Sequence, residues 1–119
     1  MVDAECPCTG KNLSKLLQPA IFTVLAAGPL HGYLVVEKVS ELELCRGKKP
    51  DPTGVYRTLR QMEERGYLLS TWDTTSSGPA RKRYRVTRAG RRCLDTWVDT
   101  LISYRQAIDQ LLERFRKTA

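Results

Sequence analysis

The side chains of this chain best equipped for chemistry are cationic. Arg81, Lys82, Arg83 and Arg85 fall within five residues, and Thr53, Tyr56, Arg57 and Arg60 recur at the spacing of one helical face. A planar guanidinium offers paired donors that fit phosphate oxygens or the O6 and N7 atoms of guanine, so the chemistry these residues offer is polyanion binding. Residues 48–92 hold twelve Lys or Arg against four acids, a surplus of +8 in a chain of 119 residues with formal net charge +7. The rest of the chain therefore sums to −1. Charge segregated in this way repels itself and is the footprint of a nucleic-acid surface. The bland alternative is a solvated basic face.

Other reactive residues are sparse. His31 is the single histidine, with no second one to complete a metal site or relay, and it reads as a structural corner residue. No acid/base pair, phosphate loop or nucleophile motif stands out, so the chain reads as a non-enzyme. Cys6 and Cys8, one residue apart, can share a soft metal ion or form a redox pair with Cys45 or Cys93. That spacing lacks the Cys-x-x-Cys geometry of zinc knuckles, and reduced thiols on an arm are the plainer reading. No apolar run approaches a membrane span, and the N-terminus lacks the pattern of a signal peptide, which implies a cytoplasmic protein.

The elements that must position these cations follow from periodicity. Residues 1–12 read as an irregular arm. Leu13, Leu16, Leu17, Ala20, Ile21, Val24 and Leu25 make a helical stripe, with the regular helix starting near Pro19 and ending at Gly28-Pro29. A second short helix is expected over Tyr33 to Leu44. A third is capped by Asp51 or Thr53, buries Val55, Leu59 and Met62, and closes at Gly66. Tyr67–Trp72 and Arg81–Thr87 flank a Ser/Gly/Pro turn as a β-hairpin with one wet, basic face. Thr87 then caps a long final helix.

Helix, helix, helix, hairpin, helix is the order of a winged helix-turn-helix. The expected fold is mainly α with a small β-hairpin, the DNA-binding unit spanning residues 13–87 and a long C-terminal dimerisation helix spanning 88–119. In such a fold the third helix enters the major groove and the hairpin grips phosphates. Arg57 is the preferred base reader. Tyr56 is left open between a phosphate contact and a place in the core. On the last helix Leu94, Trp97, Leu101, Tyr104, Ile108, Leu111 and Phe115 alternate steps of three and four, a heptad seam suited to a second subunit. Folding back on its own domain is the alternative for this helix.

Three stretches, Gly28-Pro-Leu-His-Gly-Tyr33, Gly54-Val-Tyr-Arg-Thr-Leu-Arg-Gln-Met-Glu-Glu-Arg-Gly66 and Arg81-Lys-Arg-Tyr-Arg-Val-Thr-Arg-Ala-Gly-Arg-Arg92, resemble the signature stretches of the PadR family of transcriptional regulators. The likeness extends over about residues 16–117. It implies a homodimeric repressor of the branch with a single C-terminal helix, bound to a double-stranded DNA operator. Some relatives sense phenolic or drug-like aromatic molecules at the dimer interface. Trp97 and Tyr104 can stack on such an effector here, packing being their plainer role. A thiol-based metal or redox sensor and a winged-helix protein-interaction module are the competing functions.

Overall fold

The computed structural model describes residues 15–45, 51–75 and 78–118. Helix α1 (Leu17–Leu25) carries Pro19 in its first turn, where the missing N–H costs nothing. It buries Pro19, Ala20, Ile21, Phe22 and Leu25. Phe22 is fully buried although it lies off the expected stripe, and Val24 is only half-buried. The reason is that α1 is wrapped by other elements on several sides and so buries more than one stripe. Leu13 lies outside the described residues.

Gly28 adopts φ +151° and turns the chain into a two-residue strand β1 (Leu30–His31), from which α2 (Gly32–Ser40) starts at once. Periodicity gives no warning of β1, because two residues cannot display alternation. Helix α2 stops four residues short of the expected Leu44. The Ser40 hydroxyl donates to the Glu37 carbonyl, and a 3₁₀ turn at Glu43–Cys45 follows. Leu42 and Leu44 still pack on the core from that turn, which is why they resemble a continuing helical stripe.

Helix α3 (Pro52–Glu64) starts at Asp51, whose carboxylate accepts from the Thr53 N–H at 3.1 Å, with Pro52 in the first helical position. Val55, Leu59 and Met62 are fully buried. The helix ends on Gly66 at φ +80°, with Gly66 N donating to Glu63 O and Tyr67 N to Met62 O. This is a Schellman closure, and only glycine adopts that backbone without strain.

Strands β2 (Leu68–Asp73) and β3 (Arg81–Val86) pair antiparallel with Leu68 opposite Val86 and Asp73 opposite Arg81. Strand β1 adds to the other edge of β3, Leu30 facing Tyr84 and His31 facing Arg83, so the sheet order is β1-β3-β2. The expected hairpin is thus two-thirds of a three-stranded sheet. Leu68 and Tyr84 seal its inner face onto the helices.

Thr87 joins the sheet to α4 (Arg88–Thr118). Its Oγ1 accepts from Gly90 N at 3.0 Å and donates to Gly66 O at 2.6 Å, while its N–H donates to Tyr67 O at 3.0 Å. Leu94 and Trp97 pack against the core, and Trp97 Nε1 donates to Gln18 Oε1 of α1 at 2.6 Å. From Ile102 onward α4 is exposed throughout its described length. The molecule measures 61 × 34 × 21 Å.

Candidate nucleic-acid interface

Successive α-helical residues advance by about 100°, so the α3 positions opposite Val55, Leu59 and Met62 are Thr53, Arg57 and Arg60. All three are exposed. Tyr56 lies on the flank of this face. Its ring rests on Gly32 at the start of α2, and a methyl group there would come within 2.7 Å of Tyr56 Cε1. Tyr56 stays 42% exposed, so it both packs the corner between α2 and α3 and shows its edge to solvent.

Strand alternation divides the wing cations between two faces. Arg81, Arg83 and Arg85 stand exposed on the outer face of the sheet. Lys82 stands on the inner face with Tyr84, toward α3, where its Nζ lies 3.6 Å from Glu63 Oε1. The other Glu63 oxygen accepts from the Ser70 hydroxyl. Glu63 therefore ties the last turn of α3 to both long strands. Tyr84 also faces α3: burial, with the Glu63 charge adding to it, raises its phenol above the usual range, while Arg60 nearby acts the other way.

At the turn end of the wing strands, His31 Nε2 meets Asp73 Oδ2 at 2.9 Å across the sheet. His31 stacks on the Tyr33 ring with centroids 5.9 Å apart, and the Arg81 guanidinium lies 5.0 Å from the centre of that same ring. Asp73 also accepts from the Thr75 hydroxyl at 2.7 Å and the Thr75 N–H at 3.1 Å. The Thr75 bonds, then that from His31, hold the Asp73 carboxyl down at about 2. The corner histidine and the wing turn are thereby one assembly. Among the described residues the ion pairs are His31–Asp73, Lys82–Glu63 and Lys117–Glu113, which leaves Arg57, Arg60, Arg81, Arg83 and Arg85 available to an external anion.

The remaining predicted site residues are distributed as follows. Trp97 is engaged with Gln18, and Tyr104, two turns along α4, is 52% exposed. Of the seam, Ile108, Leu111 and Phe115 are exposed by more than half, and Leu101 is partly covered. Val98, Ile102 and Leu112 are also exposed, so the apolar surface is a broad face rather than a two-in-seven line. Cys6 and Cys8 lie outside the described residues; Cys45 and Cys93 are free thiols. No group of three or more metal-ligating side chains occurs among the described residues. Sequence reasoning missed Glu63, Asp73 and Trp72, whose neighbours come from other elements.

Three helices, a basic recognition face, a wing and a long C-terminal helix define a winged helix-turn-helix protein of the transcription-regulator class. The chain matches the transcriptional regulator PadR-like family over residues 21–96 and belongs to that family. It is similar to a protein from Thermoplasma acidophilum described as a transcriptional regulator, at 28% identity and TM-score 0.73, covering 87% of this chain and 96% of that one. A conserved protein of unknown function, described as a potential transcriptional factor, is 32% identical with TM-score 0.71 over 87% of this chain and 90% of its own. Bacillus subtilis PadR, solved in complex with operator DNA, shares the fold at 24% identity and TM-score 0.61. That match covers 69% of this chain and 46% of the Bacillus protein. Compared with curated protein sequences, the chain finds no match. No described helix is long and apolar enough to cross a membrane.

Proposed function

We propose that this PadR-like regulator is a cytoplasmic homodimeric repressor that binds a pseudo-palindromic operator and is released by a signal. The observation that carries the reading is the exposed face of α3, where Thr53, Arg57 and Arg60 stand opposite the buried Val55, Leu59 and Met62. Arg57 reads a guanine edge, and Arg81, Arg83 and Arg85 grip phosphate. Two copies paired through α4 present two such helices about 34–36 Å apart, one turn of DNA. The operator-bound Bacillus PadR supports the choice of ligand. An aromatic effector between the paired α4 helices, against Trp97 and Tyr104, is the signal that fits the exposed apolar face.

Selection of bound duplexes from a random pool tests the reading. The expected product is a two-fold symmetric site whose affinity falls with salt. Arg57→Ala should relax sequence preference at one position per half-site, at about 1–3 kcal/mol. Loss of a wing arginine should instead weaken binding to all sequences and lower the slope of log K against log salt by about 0.9 per phosphate contact. Binding without salt dependence refutes the nucleic-acid reading.

A further inference from the structure

Trp72 is 63% exposed, lies on the strand leading into the wing turn, and has no place in the core. It is aligned with Lys82 across the β2–β3 ladder, and the Lys82 ammonium lies 5.8 Å from the centre of its ring. Lys82 is in turn held by Glu63 from the last turn of α3. Trp72 shares its strand face with Ser70, which also bonds Glu63, so the indole stands about 7 Å further toward the wing turn than the α3 anchor. On α3 itself, Glu63 and Tyr56 flank the same side of the recognition face, next to Arg60. Arg60, Lys82 and Trp72 therefore form a band from the recognition helix out along the wing.

We propose that Trp72 is a DNA-contacting residue, its indole packing on deoxyribose of the strand that runs between α3 and the wing, beside the phosphate that Lys82 meets. The inference rests on the DNA-binding function above. An exposed indole invites burial by some partner, and its surroundings select which one. The neighbouring apolar Leu69 points to the opposite face of the strand, so no apolar patch extends from Trp72 to suit a protein surface. A lone ring among cations instead matches a surface that alternates apolar sugars with anionic phosphates.

Salt dependence separates contact from scaffolding. Trp72→Ala should weaken operator binding about tenfold, the scale of an aromatic ring packed on nucleic acid, and equally at every salt concentration because no ion pair is lost. Lys82→Ala should lower the slope of log K against log salt by about 0.9. Trp72→Phe should keep most of the affinity. The chain has two tryptophans, so the fluorescence difference between wild type and Trp72→Phe isolates the Trp72 emission, which should be quenched when operator is added. Unchanged Trp72 emission at saturation, or wild-type affinity in Trp72→Ala, overturns the proposal. A fall in slope for Trp72→Ala also overturns it, since that marks a ring that merely supports the wing cations. Absence of DNA binding by the wild type defeats the parent function instead, and the three variants need not then be made.

Discussion

The pair His31 and Asp73 ties the corner between the first two helices to the start of the wing turn, and its energetics have a defined sign. Folding lowers the Asp73 carboxyl from 3.8 to about 2, so the ionised form is favoured in the native state. Its contribution is complete above the unfolded value and is lost as the pH falls from about 4 through 2. Carboxyl resonances followed by NMR should show Asp73 titrating at the bottom of that window. Asp73→Asn should loosen the Thr74–Thr75 turn at neutral pH, seen as faster amide exchange there, with the helical core unaffected. Residues such as Arg57 and Arg60 were legible in the sequence because the α3 period alone puts them opposite the core. Asp73, Trp72 and Glu63 were not, since their roles depend on partners brought in by folding: His31 is 42 residues from Asp73, and Lys82 reaches Glu63 only once β3 pairs with β2.

Helices with a long, clean period were readable as elements, and both glycine and proline boundaries of α1 and α3 fell where the backbone requires them. What failed was short or tertiary. Strand β1 exists only because β3 offers it an edge, and α2 ends at Ser40 although the apolar period continues through Leu42 and Leu44. The junction between β3 and α4 is the element boundary most open to test. A Cβ at Gly90 would collide with the Tyr67 carbonyl and press on Val86 Cγ1 at 2.9 Å, and backbone cannot swing aside as a side chain can. Gly90→Ala should therefore destabilise the fold by about 2–3 kcal/mol in denaturant unfolding. Thr87→Ala, which removes the helix cap and the bond to Gly66, should cost about 1–2 kcal/mol.

For the whole molecule the open issue is the far half of α4, which rises from the domain with Ile108, Leu111, Leu112 and Phe115 uncovered. The heptad count located this surface but made it too narrow, because it recorded only steps of three and four from Leu94 and passed over Val98, Ile102 and Leu112. It placed Trp97 on the seam with packing as its plainer role, and Gln18, 79 residues away in sequence, bonds it within the chain. Under the proposed pairing, Leu111→Glu with Phe115→Glu should give a monomer by sedimentation equilibrium. Operator affinity should then fall by orders of magnitude, while the winged domain keeps its near-ultraviolet spectrum.

Thr87 makes three hydrogen bonds that bind the first turn of α4 to Gly66 and Tyr67, the two residues closing α3. The joint works as a mechanical linkage: α4 is a crank arm about 46 Å long, and α3 is rigidly fixed at its hub. Under the proposed function, a ligand or partner that re-angles the arm is expected to turn the recognition helix with it. For α3, roughly 20 Å long, a tilt of about 10° carries the far end through about 3.5 Å, the rise of one base pair. Under the proposed function, a signal received far out on the arm then needs no large rearrangement to put the reading helix one step out of register.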